Sequence, residues 1–448
     1  MNRLDEYREI TAELENLPPA LDYTMTRAQA RIKKNKFIKR WAALPAGIIL
    51  FFGVFVMMVN LSVTFAQACG QIPLLRELTA AVAFSPSLAA AVKNQYVQPI
   101  NQEKIQDGIK FRVEYVIVDQ KQINFFYSMT GPDDVILDVE FEIGSRKGEK
   151  LGGYTLHYGD YGAPSDELGK LTVDFVEGDV PEGLYLTCRV FERQNGPPPK
   201  EKPQYLSVFV FGVSFDPSLT QKGEILKPNL SFTLDGQKFT VSSFEIYPTQ
   251  IQVELGDDPE NTAWIKDVEC YIEDEKGNCF ESVGNGLSST GEADSPKMTA
   301  FYMESPFFYD SKELTLHVTG ATWLDKDKER VLVSLKDKTA DFLPEGIVFE
   351  KAQPVNSGWE LTFTGEKPKD EGVPQIVGQT YYDLNGKDAF FEGWSVDTYL
   401  QPVGEDGQIM ESFSQRVTLK DYPYDTVYLT LSYSRTVKLS EPLTLKIK

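Results

Sequence analysis

The sequence predicts a mainly β protein in which one transmembrane helix is followed by about three tandem immunoglobulin-like β-sandwich domains. Three observations predict this fold class. Residues 41–75 carry no charged side chain and directly follow a basic cluster. Beyond residue 107, apolar side chains alternate with polar ones, the pattern of half-buried antiparallel strands. Similar segments then recur at intervals of about 105–125 residues, a length that suits an immunoglobulin-like sandwich.

Residues 1–40 form the predicted cytoplasmic tail, which begins with a short amphipathic helix that ends at Pro18. Its apolar side chains fall on or near one face: Leu4, Tyr7, Ile10 and Leu14. An isolated helix of this length is marginal in water. We therefore expect these side chains to fold onto a partner, or the segment to stay loose without one.

Residues 41–63 are the predicted transmembrane helix. The apolar centre, Ala42–Val59, is about long enough to cross the hydrocarbon core of a bilayer at roughly 1.5 Å per residue. Seven basic side chains precede it: Arg27, Arg31, Lys33, Lys34, Lys36, Lys39 and Arg40. Because cationic flanks stay on the cytoplasmic side, we expect a cytoplasmic N-terminus and an extracytoplasmic remainder. The basic cluster is also expected to contact anionic lipid.

A cleaved signal peptide is the alternative interpretation of this segment. Ala66-Gln67-Ala68 has the small-x-small form of a cleavage site, and Cys69 follows it as in a lipid-modified precursor. The apolar region of a signal peptide spans roughly 7–15 residues behind a short leader. Here the apolar region is longer and 40 residues precede it, which favours an intact single-pass anchor.

Charge is divided unevenly along the chain. The first 41 residues carry nine basic and six acidic side chains, whereas the rest carry 36 basic and 60 acidic ones, a net charge of −24. An outer part with this much negative charge repels nucleic acid, and we therefore exclude nucleic acid as a partner. Two explanations of the acidity stay open. It serves to bind cations or basic partners, or it only keeps an exported surface soluble.

Residues 64–100 are the predicted juxtamembrane helical segment. Within it, Ile72–Val97 contains two short helices that are broken at Ser85-Pro86. Their apolar content suggests that they lie on the outer membrane surface or pack under the first β domain.

The β region divides into three predicted domains, residues 101–224, 225–342 and 343–448. A shift of 128 positions matches Asp107, Gly108, Lys110, Phe111, Val113, Gln122 and Ile123 to Asp235, Gly236, Lys238, Phe239, Val241, Gln250 and Ile251. A third and weaker copy begins at Glu345-Gly346. Repetition of this kind predicts three units of one architecture.

Four cysteines in 448 residues do not make a disulfide scaffold. Cys188 is in phase with the apolar side of its strand, so we expect a buried thiol. Cys270 and Cys279 flank a hairpin turn. With a four-residue loop at Asp274–Gly277, Cys279 faces Ile272 and Cys270 lies diagonally to it. That separation is long for a disulfide, so the sequence disfavours one without excluding it.

The sequence contains no recognisable catalytic motif. The two histidines, His157 and His317, fall in different predicted domains, which argues against a triad or a two-histidine zinc site. Two acidic clusters are the remaining ligand candidates, although solvated turns explain them as well. They are Asp257, Asp258 and Glu260, and Asp325, Asp327 and Glu329. We expect a protein that is not an enzyme and that holds no cofactor and no metal.

Short motifs in residues 59–101 carry a family resemblance. They are V-N-x-S-x-x-F-A at Val59–Ala66, I-P at Ile72-Pro73 and Y-V-Q-P-x-N at Tyr96–Asn101. The region resembles a family of single-pass membrane proteins from Gram-positive bacteria, and the similarity extends to Met129. That family is a domain of unknown function whose members are often described as anti-sigma factors. The resemblance implies extracytoplasmic sensing tied to transcription, and it supplies no catalytic residues.

We therefore expect a membrane-anchored regulator whose β domains sense the envelope and whose tail binds a cytoplasmic sigma factor. A tail of this length cannot fold alone, so its apolar face must enter a groove on the partner as it folds. The alternative is a cell-surface binding or structural protein. It would recognise an envelope component or another protein through its β domains, and it would have no role in transcription.

Overall fold

The computed structural model describes residues 75–448 except 133–134, 147, 149–150, 159–167, 194–202, 284–285, 292–295, 356–357, 370–371 and 401–408. The predicted tail and transmembrane helix lie outside the described residues. The described part is mainly β, as the sequence predicts. None of its helices is long and apolar enough to cross a membrane.

The described chain divides into two compact bodies. The larger holds residues 75–363, 375–394 and 416–448, and the smaller includes Thr364–Pro374 and Ser395–Gln415.

Two helices open the described chain, α1 (Leu75–Ala81) and α2 (Pro86–Lys93). The break between them has a local cause. The hydroxyl of Ser85 accepts a hydrogen bond from the backbone N–H of Leu88, and proline fills the first helical position. Both features are typical of a helix start, so α2 begins anew at this point rather than continuing α1.

The strands follow in chain order. They are β1 (Gln98–Gln106), β2 (Ile109–Val118), β3 (Gln122–Thr130), β4 (Leu137–Ser145), β5 (Tyr154–Tyr158), β6 (Gly169–Phe175), β7 (Gly183–Glu192), β8 (Tyr205–Ser214), β9 (Glu224–Leu226), β10 (Leu230–Leu234), β11 (Gln237–Ile246), β12 (Ile251–Asp257), β13 (Ala263–Asp274), β14 (Cys279–Phe280), β15 (Ser289–Gly291), β16 (Met298–Met303), β17 (Leu314–Asp325), β18 (Arg330–Ser334), β19 (Thr339–Ala340), β20 (Val348–Val355), β21 (Gly358–Pro368), β22 (Val377–Tyr382), β23 (Asp388–Phe390), β24 (Gly393–Leu400), β25 (Met410–Leu419), β26 (Thr426–Leu431) and β27 (Arg435–Lys446).

The first β unit consists of β1–β8. Strands β1-β2-β3-β6-β5 form one antiparallel sheet in that order, and β4-β7-β8 form a second. Side chains of both sheets fill one hydrophobic core, which includes Phe111, Phe125, Phe141 and Phe211. Cys188 is fully buried in this core, as its phase predicts.

The second β unit repeats the first. It consists of β9–β17 and β27, with sheets ordered β10-β11-β12-β16-β15 and β14-β13-β17-β27 over one core around Trp323. The β1–β2 turn at Asp107-Gly108 and the β10–β11 turn at Asp235-Gly236 both have positive φ at both residues. The register shift that follows Val113 recurs after Val241, 128 positions later. The repeat seen in the sequence therefore extends to turns and bulges of the backbone.

The third β unit, the sheet β19-β18-β26-β22-β23, is inserted into the second along the chain. Strand β18 begins at Arg330, ahead of the boundary expected at residue 343, and pairs with β26. Strand β27 returns to pair with β17 of the second unit. Residues 343–448 therefore do not form a separate domain, contrary to the prediction. Alternation identifies a strand but not its partner, which is why the sequence did not show this return.

Candidate functional site at the junction of the first two β units

The structure describes none of the side chains that the sequence singled out for partner binding. Leu4, Tyr7, Ile10, Leu14 and the basic cluster from Arg27 to Arg40 all lie outside the described residues. Among the described residues, the densest set of buried polar and ionisable groups lies where the first two β units meet, and we take this junction as the candidate site.

Two equivalent turns face each other at the junction. The turn between β2 and β3 closes through a hydrogen bond from the N–H of Asp119 to the carbonyl of Gln122, 3.0 Å. The turn between β11 and β12 closes in the same way from Tyr247 to Gln250, 2.9 Å. The side-chain amide of Gln122 donates to the side-chain oxygen of Gln250, 3.2 Å away. A residue thus contacts its own counterpart in the neighbouring repeat.

Asp119 ties both turns together. One carboxylate oxygen accepts from the backbone N–H groups of Lys121 and Gln122, at 2.9 and 2.8 Å. The other accepts from the N–H and the hydroxyl of Thr249, at 3.0 and 2.6 Å. Burial raises the pKa of Asp119, and the four hydrogen bonds oppose that rise. The same carboxylate therefore shapes its own turn and holds the opposite one.

Asp174 on β6 makes the second contact across the junction. Its carboxylate accepts from the amide of Gln122, 2.8 Å, and from the backbone N–H of Leu287, 2.9 Å. The imidazole of His157, which is 38% exposed, lies 3.6 Å from the same group. Burial raises the pKa of Asp174, and the bond from Gln122 is the largest opposing effect. Gly286 approaches so closely that a Cβ there would lie 2.5 Å from the carboxylate.

Glu304 joins the helices to the second β unit. Its buried carboxylate accepts from the hydroxyl of Ser85, 3.2 Å, and from the backbone N–H of Ser87, 2.7 Å. The N–H of Ser305 donates in turn to the hydroxyl of Ser87, 2.6 Å. Burial lowers the pKa of Lys170, and its attraction to Glu304 opposes that shift. A carboxylate is favourable at this position because it accepts hydrogen bonds at the start of α2, where backbone N–H groups have no partner within the helix.

Apolar contacts hold the other side of the helices against the first β unit. Leu78, Val82 and Leu88 pack on the outer face of β2 and β3, where Ile117 and Phe126 are fully buried. Tyr96 hydroxyl donates to the carbonyl of Val118, 2.7 Å, and accepts from the N–H of Gln221, 2.8 Å. Helices α1 and α2 are thus part of the same folded structure as the first β unit.

Two regions of the chain match families without an assigned function. Residues 33–131 match a domain of unknown function (DUF4179), and residues 223–347 match a family of unknown function (DUF5643). The first match confirms the domain-of-unknown-function resemblance drawn from residues 59–129. Neither description assigns an activity or anti-sigma factor membership.

Comparison with other proteins adds no assignment. The chain matches no curated protein. It is similar to the crystal structure of the conserved domain protein from Bacillus anthracis, with 12% identity and a TM-score of 0.39, over 55% of this chain and 84% of that one. A similarity of this size does not establish a shared fold or function.

The other candidates from the sequence have structural explanations in the described part of the chain. Asp258 accepts from the N–H of Glu260 in its own turn, and Asp325 accepts from Ser434 and Arg435. Neither acidic cluster gathers three groups that could hold a metal ion among the described residues. His157 and His317 lie in different β units, as expected.

The sequence did not single out Asp119, Asp174 or Glu304. The only available signal was the 128-residue repeat, which already matched Gln122 to Gln250. It identified the two glutamines as equivalent but not as neighbours, since a repeat defines copies and not how they pack. Chemically, the junction is a hydrogen-bonded contact whose groups water can satisfy when the units part.

Proposed function

We propose that this chain is a membrane-anchored extracytoplasmic sensor and regulator. In this proposal the β units respond to the state of the envelope, and the cytoplasmic tail binds a sigma factor. The observation that carries it is the docking of α1 and α2. These helices begin at Leu75, shortly after the region predicted to anchor the chain, and they contact both β units.

The docking supplies a physical route for a signal. A ligand or force that changes the contact between the first two β units also acts on Glu304, and through it on Ser85 and Ser87 at the start of α2. A flexible stalk at this position would absorb such a change. A docked helix pair instead passes it towards the membrane.

The architecture of the β units belongs to the same proposal. In the first two units, two antiparallel sheets share one core, as in immunoglobulin-like domains. We assign the units to that class. Tandem domains of this kind present long surfaces for recognition outside the cell, which suits a sensor.

The tail decides between a regulator and a surface-binding protein. We would purify the full-length chain from membranes beside a version that lacks residues 2–24, and identify what each retains. The proposal expects a sigma factor with the intact tail alone. Recovery of no tail-dependent partner would favour the alternative, a cell-surface binding protein whose tail only orients the anchor.

A matched pair of variants sharpens the test. Leu4→Asp with Leu14→Asp adds two charges to the apolar face of the predicted helix and should abolish sigma-factor recovery. Ala12→Asp with Asn16→Asp adds the same two charges to the opposite face, by helical periodicity, and should leave recovery unchanged. Equal loss from both pairs would point to a general charge effect instead of a docking face.

A further inference from the structure

Strand β4 is a free edge of the first β unit. It is the outermost strand of the β4-β7-β8 sheet, and no described strand apart from β7 pairs with it. The N–H of Arg193 donates to the carbonyl of Ile136, 2.8 Å. Because the bonds of an antiparallel pair involve every second residue, Asp138 also bonds to β7, whereas Val139 turns its N–H and carbonyl to the free side. A row of such groups is a template on which another chain can add a strand.

The side chain of Asp138 covers the first of these free donors. Its carboxylate accepts from the N–H of Val139, 2.7 Å. Asp138 is 9% exposed, and burial raises the pKa of its carboxyl, while the bond from Val139 and the charge of Arg193 oppose that rise. A strand that paired with β4 at this point would have to displace the carboxylate. The charge would then be buried without its donor, which is strongly unfavourable.

The second β unit has the same arrangement on the equivalent strand. Strand β13 lies beside β17 as β4 lies beside β7, and among the described strands β14 pairs only with its residues Ile272 and Glu273. The carboxylate of Asp267 accepts from the N–H of Val268, 2.9 Å. Val268, like Val139, belongs to the core of its unit. Both units thus place an aspartate directly before a core valine and bond it to the N–H of that valine.

The opposite edge of the first sheet, on β8, is covered by side chains of β1. The ammonium group of Lys104 donates to the carbonyl of Val210, 2.6 Å, and the amide of Gln102 donates to the carbonyl of Gly212, 3.1 Å. A carboxylate therefore covers a backbone donor on β4, while an ammonium and an amide cover backbone acceptors on β8. In each case the side chain has the polarity that the backbone group requires, so both edges of this sheet are protected.

We propose that Asp138 and Asp267 keep the free edges of β4 and β13 closed to strand addition by a second copy of this chain. A second copy carries the same edges, and two identical edge strands can pair antiparallel about a two-fold axis. Pairing of this kind would displace the carboxylates from Val139 or Val268. Each copy has two such edges, so the loss of both aspartates would allow copies to add to one another repeatedly.

Removal of both aspartates from the full chain tests the proposal. Thioflavin T fluorescence of the purified variant Asp138→Ala with Asp267→Ala should rise about tenfold over the parent, because uncovered edges pair into extended sheets. Glu142→Ala with Glu269→Ala is the matched control. It removes two charges from the same strands, but these carboxylates pair with basic side chains instead. Equal fluorescence from the two variants, or no rise in the first, would overturn the proposal.

A single variant separates edge opening from misfolding. Asp267 is exposed, so Asp267→Ala should unfold at the same temperature as the parent, measured by circular dichroism. It should still scatter more light than the parent, because one edge per copy is open. A variant that associates only after its unfolding temperature has fallen would contradict the role assigned to Asp267.

A labelled peptide gives a measurement that does not depend on self-association. A fluorescent peptide with the sequence of residues 137–145, itself carrying Asp138→Ala, presents the β4 strand alone. It should bind the Asp138→Ala chain about tenfold more tightly than the parent chain, measured by fluorescence anisotropy. Glu142→Ala should bind it as weakly as the parent. Equal binding by Asp138→Ala and the parent would show that the aspartate does not close this edge.

Discussion

A single aspartate organises the hairpin between β13 and β14. The carboxylate of Asp274 accepts from the N–H groups of Lys276 and Asn278, both at 2.9 Å, and from the hydroxyl of Ser311, 2.8 Å. Burial raises the pKa of Asp274, and the bonds from Asn278 and Ser311 outweigh that effect, so the pKa lies below its usual value. The ionised form thus stabilises both the turn and its contact with the loop before β17.

We expect Asp274→Ala to destabilise the second β unit by about 1–3 kcal/mol, because it removes the charged acceptor of three partly buried hydrogen bonds. Urea unfolding gives this difference directly. Asp383→Ala is the matched control, since Asp383 caps an equivalent hairpin through Asn385 and Lys387, but its hydrogen bonds are exposed to solvent. It should have the smaller effect, and a larger effect there would contradict the role assigned to Ser311.

The same aspartate predicts a pH dependence. The pKa of Asp274 is lower in the folded state than in the unfolded state. At pH values between these two pKa values, the folded state therefore binds fewer protons than the unfolded state. The stability contributed by Asp274 is therefore present above the unfolded pKa, about 4, and is lost as the pH falls through the folded pKa. The stability difference between the parent chain and Asp274→Asn should shrink over that acidic range.

Cysteine geometry shows how one residue of register changes a chemical conclusion. The sequence predicted a four-residue loop, with Cys279 facing Ile272. In the structure Phe280 faces Ile272, and Cys279 faces Glu273. A shift of one residue moves a side chain to the other face of a sheet. Cys270 and Cys279 are both free thiols, as this geometry requires.

At the scale of the element, the junction depends on a glycine that a side chain could not replace. Gly286 has φ +95°, and a Cβ there would lie 2.5 Å from the carboxylate of Asp174. Gly108 and Gly236 also have positive φ, but a Cβ at either would meet nothing within 4 Å. The three positions therefore share backbone strain, and only one adds a steric conflict at the junction.

We expect Gly286→Ala to loosen the junction, whereas Gly108→Ala and Gly236→Ala should cost only about 1–2 kcal/mol of turn strain each. Hydrogen exchange separates the two effects. The N–H groups of Leu287 and Thr249, which bond to the two junction aspartates, should exchange faster in Gly286→Ala alone. If these N–H groups exchanged faster in all three variants, their exchange would be governed by global stability and not by the junction.

Sequence patterns predicted the strands and the repeat, but not the contacts between elements. Alternation from residue 107 onwards predicted the β class, and the 128-residue shift predicted that the first two units share one architecture. Contacts between elements were not predictable in this way. Asp119 and Thr249 are 130 residues apart, and neither lies in a motif. Each looks like an ordinary turn residue until the two units are docked.

At the scale of the whole molecule, the third β unit interrupts the second between two neighbouring strands. The chain leaves β17 at Asp325 and re-enters at Arg435, whose guanidinium lies 3.1 Å from that carboxylate. The N–H of Ser434 donates to the carbonyl of Trp323, 2.7 Å, so exit and re-entry are adjacent. Because the two ends already meet, the second unit does not need the inserted unit to bring β27 into place.

This topology predicts opposite results from two deletions. Replacing residues 330–432 with a short Gly-Ser linker should leave the second unit folded, because β17 and β27 remain paired. Removing residues 433–448 deletes less of the chain but strips Val437, Leu439, Leu443 and Leu445 from the core and exposes the edge of β17. We expect that shorter deletion to unfold the second unit. The near-ultraviolet circular dichroism of buried Trp323 reports the difference. The expectation would be contradicted if the second unit stayed folded without β27, or if it unfolded after residues 330–432 were replaced. Either result would mean that the third unit supplies stability that the pairing of β17 with β27 does not.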